Sequence, residues 1–560
     1  MLTYSTPAEA CGGNFCDVGP TQVPVNQTGE NIIFAFDGDT VEVHIQIAYD
    51  PDTEASKFSW IIPMQALPEF GVSSELFFDQ VLNGTVPTYG VNTTTEICGE
   101  PANNGDSSGL SGSGGATGDA GGSDSGSDSG EMGPNVVYQG TVGAFAVTVL
   151  DSKDSKQLLD WFDANGYSYD DAAVPIIDAY LAEGNLFAAF KLVPAEKPVV
   201  HPVVLRYQGV EPCVPIRLTR VAAVEDMDIR VFFLGEHRAI PTNYRHVLVN
   251  PLKIDWPNFA ANYKEVVTAA VDAFHADGNA FVTEYAGTSD VISRFGIYSQ
   301  TWDAKAFTGL AAIDVVNTLS SQGILDCFDG EGGFCDYRHP LLEGLLGEFL
   351  PAPDGIDPVE FYSCLDCYEG MIDLEIWGDG SAFSTAYDER IVAPGKNSVE
   401  LLDSNPYVTR MYTTISPHEM LEDPMFAENP DLPGIASLRI AQRLNRCDGH
   451  TEYVLPDGRE VFVPDSGPWP EFPDEMPWEE ETQQMALVGA PQVLLSNTET
   501  IDTMLEEWNE ANRPSYDSSS DTSGDDTEGG CGCTSEGNAG GLAFGLGLLG
   551  LVGLRRRRRR

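Results

Sequence analysis

From Val41 to Tyr49 the chain alternates strictly. Val41, Val43, Ile45, Ile47 and Tyr49 fall on one side, and Glu42, His44, Gln46 and Ala48 on the other. Successive side chains of a strand point to opposite faces, so this pattern predicts a half-buried strand. Such a strand cannot stand alone; it commits the chain to a sheet with one face covered. The apolar run 32–36 precedes it across the turn Asp37-Gly38-Asp39, and the two segments predict a hairpin. Runs rich in β-branched and aromatic residues at 58–62, 136–150, 186–192, 199–207, 229–234 and 280–285 extend this sheet-forming character. Helical spacing interrupts them. Residues 156–165 carry Leu158, Leu159, Trp161 and Phe162 and stop at Gly166, and 173–182 form a second short helix before Gly184. Over 258–275, Phe259, Tyr263, Val266, Val267, Ala270, Val271 and Phe274 recur at helical spacing, which predicts one amphipathic helix. The class expected is α+β, an antiparallel-sheet-rich body with packed helices.

At 560 residues the chain exceeds the usual size of one domain. Residues 102–133 are dominated by Gly, Ser and Asp and cannot bury apolar surface, yet strand-like segments lie on both sides. They read as a disordered insertion within one body spanning 11–300. Beyond residue 300 the pattern loosens into a second α+β part, 301–512. Residues 303–319 and 341–350 look helical, 408–415 reads as a strand, and 452–455 with 460–463 form a hairpin around Pro456-Asp457-Gly458. An acidic strap rich in Pro and Trp follows at 464–480, and Ile501, Met504, Leu505 and Trp508 mark a last helix. Residues 513–530 form a disordered Ser/Asp stalk, and 531–560 form the tail.

The ends speak to location. Residues 538–554 carry no charge and are followed by six arginines, Arg555 to Arg560. The order predicts a short transmembrane segment with its arginines on the cytoplasmic side and the body outside. At the other end, Met1 to Pro7 lacks a basic-then-apolar pattern, while Ala8-Glu9-Ala10 before Cys11 fits a small-x-small cleavage site. Residues 1–10 therefore read as the remnant of a signal and cleavage region. The formal charge of −56 argues against nucleic acid or anionic lipid as a partner of the body, since both require a basic footprint. Cysteines come in close pairs, Cys11/Cys16, Cys327/Cys335 and Cys364/Cys367, which outside the cytoplasm are expected as disulfides. A four-cysteine zinc site from Cys327, Cys335, Cys364 and Cys367 is the alternative.

Two resemblances sharpen the location. The sequence Gly529-Gly530-Cys531-Gly532-Cys533, followed by the apolar run and the arginine cluster, resembles the MYXO-CTERM sorting signal of myxobacterial surface proteins. That resemblance implies recognition by a membrane sorting protease, removal of the tail and anchoring at the outer surface, with Cys531 or Cys533 as the processing and lipidation site. The body resembles the bacterial domain-of-unknown-function family 2330. The matching segments are Cys11-Gly-Gly-Asn-Phe-Cys16, Pro24 to Phe34, Leu159 to Tyr167, Pro241-Thr-Asn243-Tyr244 and Thr283-Glu284-Tyr285-Ala-Gly287. The family implies exported, disulfide-bearing surface proteins and brings no established activity, so no catalytic residue is carried over.

Chemistry is sparse. No Gly-x-Ser-x-Gly, His-Glu-x-x-His or phosphate-loop motif occurs. His44 alternates away from the apolar side of its strand, which predicts a surface position. His237, Arg238 and Asn243-Tyr244-Arg245-His246 form the densest polar cluster and would supply a general base if an oriented partner lay within reach. His339 and His450 lie near Cys335 and Cys447 and are candidate metal ligands. The turns Asp329-Gly-Glu331 and Asp379-Gly-Ser381 offer oxygen ligands for calcium without matching an EF-hand. No cofactor is expected. The function expected is a non-enzymatic, surface-anchored protein with an unidentified extracellular partner; the alternatives are a secreted hydrolase with its site at 237–246 and a calcium-dependent adhesion module.

Overall fold

Two stacked β-sheets organise the protein. A computed structural model describes residues 14–17, 27–37, 40–49, 58–97, 134–169, 171–192, 201–208, 212–328 and 334–513. The larger sheet has ten strands in the order Gln492–Ser496, Glu479–Gln484, Arg245–Val249, Ala280–Thr288, Tyr407–Ile415, Ala223–Gly235, Gln27–Asp37, Thr40–Tyr49, Val203–Gln208 and Glu69–Val72. The smaller has six, in the order Asn135–Val142, Phe145–Asp151, Leu186–Leu192, Phe58–Met64, Asn14–Asp17 and Tyr167–Ser168. Pairing is mostly antiparallel, although Gln27–Asp37 runs parallel to Ala223–Gly235. The expected α+β class holds, with twelve α-helices among the described residues.

The hydrophobic pattern explains the layering. Val41, Val43 and Ile45 face Ile62 and Met64 of the smaller sheet, and Phe145, Val147 and Phe190 complete this inter-sheet core. The run 32–35 is apolar at every position because both of its faces are covered. Ile32 and Phe34 enter the inter-sheet core, while Ile33 and Ala35 meet Phe77, Phe78 and Leu402 on the far side. The helices Ser155–Ala164 and Val174–Ala182 cover the outer face of the smaller sheet through Leu158, Phe162 and Ile177. Asp154 caps the first by accepting from the Gln157 amide.

Residues beyond 300 supply three things. A helical layer packs around Phe307, Leu342, Phe361, Trp377 and Tyr387. A four-stranded sheet, in which Leu438–Asn445 runs parallel to Thr88–Thr95, packs with the helix Thr498–Asn512 and the strap residue Phe472. The strand Tyr407–Ile415 lies between Ala223–Gly235 and Ala280–Thr288, at the centre of the larger sheet.

Three expectations require correction. The helix expected over 258–275 spans only Tyr263–Val271. Phe259 and Ala260 adopt left-handed φ values of 54° and 59°, and the Asn262 side chain bonds back to Asp255 and Lys253, which holds the preceding turn non-helical. Residues 303–319 break into short turns before the helix Val315–Ser321, because Gly309 takes a φ of 77°. His44 is buried rather than at the surface: the face opposite the inter-sheet core is covered by the helices Glu75–Thr85 and Ala393–Ser404. Among the described residues, no helix is long and apolar enough to cross a membrane. The insertion 102–133, the stalk and the tail with Cys531, Cys533 and the transmembrane segment lie outside the described residues, as do Cys11 and the calcium-turn residues Asp329 and Glu331. The backbone of Cys16 is described, but its side chain is not.

Candidate functional site

The cysteine-bearing segments come first, because they set the scaffold. Cys327 and Cys335 join the facing strands Leu325–Phe328 and Phe334–Tyr337, where they are directly opposed in register. Cys364 and Cys367 form a second disulfide beside the helical core. These bonds replace the zinc alternative, since a bonded sulfur is no thiolate ligand. Cys447 is disulfide-bonded as well. His339 is buried, and its Nδ1 accepts from the Leu341 amide. Burial pushes its imidazole down to about 4. Asp379 is spent on the Ser381 amide at the start of a helix. Among the described residues, no group of three His, Cys, Asp or Glu side chains could hold a metal ion.

The polar cluster at 237–246 converges only in part: Arg238 Nη2 lies 3.4 Å from His246 Nε2 and donates to Thr283 Oγ1, while the other members lie apart. His237 is exposed, whereas Arg238 and His246 are buried. His246 Nε2 lies 2.9 Å from Thr283 Oγ1, and Nδ1 lies 3.1 Å from Gln483 Oε1. Burial, reinforced by the Arg238 charge, pushes the imidazole down to about 3. A base so weak, with its ring nitrogens bonded inside the sheet, is poorly suited to catalysis near neutrality. Asn243 goes elsewhere, accepting from the Met425 amide and donating to the Asp423 carbonyl.

A different constellation, not singled out from the sequence, has the residue types of a nucleophile, a base and an acid. Ser73 Oγ lies 2.7 Å from His44 Nδ1, and His44 Nε2 lies 3.3 Å from Glu42 Oε2, off the line of a good hydrogen bond. Burial alone would raise the Glu42 carboxyl, but His44 and Arg206 outweigh it and hold the group at about 2. Burial lowers the His44 pKa against the pull of Glu42. A serine nucleophile also needs open space for the reacting carbonyl. Ser73 is 1% exposed, and the Phe77 ring packs edge-on against His44. The cluster is a clamp: Arg206 and Asn397 both bind Glu42, tying two strands to the helix Ala393–Ser404.

A cavity of about 490 Å³ opens between the sheets. Its floor is Phe34, Val43, Ile45, Ile62, Met64 and Leu205, all buried. Its exposed lining residues, Gln65, Glu183, Asn243, Leu421 and Glu422, mark the mouth. Beside them Arg217 donates through Nη1 and Nη2 to Glu183, at 2.8 and 2.6 Å, and through Nε to Asp423 at 3.0 Å. Its guanidinium also lies 4.0 Å from the Tyr180 ring, and Tyr180 Oη donates to Asp423. Burial raises the Asp423 pKa despite these donors. No sequence pattern marks this mouth, because Arg217 and Asp423 are 206 positions apart. A smaller cleft of about 230 Å³ lies at Tyr263, Lys264, Glu284 and Arg410. Its charges are internally paired, Arg410 with Glu284 at 2.5 Å and Lys264 with Asp228 at 3.0 Å.

Fold and site together define a disulfide-bearing α+β protein with an apolar cleft between two sheets. The chain belongs to the family described as "Uncharacterized protein conserved in bacteria (DUF2330)", whose model matches residues 6–308. No curated protein and no solved structure matches it.

Proposed function

We propose that the protein is exported, anchored at the cell surface through its C-terminal tail, and acts there by binding a small apolar molecule rather than by catalysis. The observation that carries the binding role is the inter-sheet cleft, an apolar space far larger than the voids of an ordinary protein interior. Apolar cavities stay dry and accept apolar guests. The disulfides Cys327–Cys335 and Cys364–Cys367 suit an oxidising compartment. The order of acidic stalk, Cys531-Gly532-Cys533, apolar run and arginine cluster supports sorting by a membrane protease.

Two experiments test the two halves. Labelling intact cells with a membrane-impermeant amine reagent should mark the parent protein, and Cys531→Ser with Cys533→Ser should release it or leave its tail uncleaved. An unlabelled parent in intact cells would end the location half. An environment-sensitive apolar dye should bind the purified protein and lose affinity in Val43→Phe, which narrows the floor. Equal dye binding by a folded Val43→Phe variant would place the apolar site elsewhere.

A further inference from the structure

We infer that the inter-sheet cleft takes an amphipath with an apolar body and a cationic head. The inference rests on the reading that the cleft binds an apolar molecule, and it specifies that molecule's other end. The floor side chains Phe34, Val43, Ile45, Ile62, Met64 and Leu205 are apolar, and the charged lining residues Glu183, Arg217, Glu422 and Asp423 gather at the mouth, so a charged head is met there. There, among the described residues, three carboxylates, Glu183, Glu422 and Asp423, face one cation, Arg217. Arg217 is spoken for: Nη1 and Nη2 grip Glu183, Nε and the backbone amide hold Asp423, and its plane covers Tyr180. These contacts take three of its five N–H donors, and Glu183 and Asp423 offset its charge, so an anionic head would meet two carboxylates already seated on the cation of the mouth. The Asn243 side chain is likewise committed, to Asp423 and Met425.

Glu422 is different. Its side chain is exposed at the mouth and makes no ion pair among the described residues. Leu421 beside it is 60% exposed and adds an apolar lip. A chain entering the floor therefore leaves its head beside an unpaired carboxylate. The excess of carboxylates at the mouth has the sign of the whole chain, whose formal charge is −56. The long-range field and the local partner both favour a cation and oppose a carboxylate.

Three probes with one tail separate the terms: decyltrimethylammonium, decanol and decanoate, each below its micelle concentration. Calorimetric titration of the purified protein should rank them in that order, with the ammonium binding about tenfold or more tighter than decanoate. Glu422→Lys should compress or invert the ranking while leaving decanol unchanged. Equal binding of all three, or tightest binding of decanoate, would overturn the cationic head and leave the apolar cleft standing. Failure of all three would sink the cleft reading itself. Since Glu422 is exposed and unpaired, its replacement does not threaten folding, and a melting curve of the variant checks this directly.

Discussion

At the scale of single residues, the protein buries more charge than its sequence suggests. Glu284 and Arg410 are 1% and 4% exposed and pair within the larger sheet. Removing one member strands the other in an apolar surround, so Glu284→Gln should lower stability by about 3–5 kcal/mol in urea unfolding. Glu30 is fully buried, and desolvation raises its carboxyl to about 7, against an ordinary 4.5. Because the folded pKa lies above the unfolded one, Glu30 costs nothing below 4.5 and penalises folding progressively as pH rises to 7. Glu30→Gln should therefore melt above the parent beyond pH 7, with the gap closing below 4.5. Glu75 is raised to about 7 by burial and Asp79, so the comparison must be variant minus parent. Glu42 carries the opposite sign: held at about 2, it adds stability that is full above 4.5 and is lost as pH falls toward 2. A variant profile that runs parallel to the parent across this range would refute the burial argument for Glu30.

At the scale of elements, local chemistry was readable and tertiary partners were not. The hairpin is found as Gln27–Asp37 with Thr40–Tyr49, because alternation and the Asp37-Gly38-Asp39 turn are local signals. The helices near 156–165, 173–182 and 341–350 fall within a residue of expectation, each having its stop signal or apolar stripe in the chain itself. His44 was misjudged because alternation shows which side of a strand is polar, not whether helices will cover it. The cleft mouth was invisible for the same reason: Tyr180, Arg217 and Asp423 meet only after the fold has formed. Close packing sets further limits. A Cβ on Gly395, in the helix Ala393–Ser404, would sit 2.5 Å from the Ile297 carbonyl. Gly395→Ala should thus cost about 1–3 kcal/mol in thermal or urea unfolding, although alanine is the better helix former. A neutral or stabilising outcome would show that the helix can shift.

At the scale of the whole molecule, the family match and the sheet do not end together. The match stops at residue 308, but the larger sheet is completed by Tyr407–Ile415, inserted between Ala223–Gly235 and Ala280–Thr288. A fragment ending at 308 should lack a cooperative thermal transition, while one ending at 513 should melt as the full chain does. Cooperative melting of the shorter fragment would mean that the two flanking strands find another partner. The order of strands also imposes a schedule. During synthesis at roughly 5–20 residues per second, the edge of Ala223–Gly235 waits on the order of ten to thirty seconds for its neighbour. In that interval the edges of Ala223–Gly235 and Ala280–Thr288 that Tyr407–Ile415 will fill stand open, and an open strand edge is a template for wrong pairing.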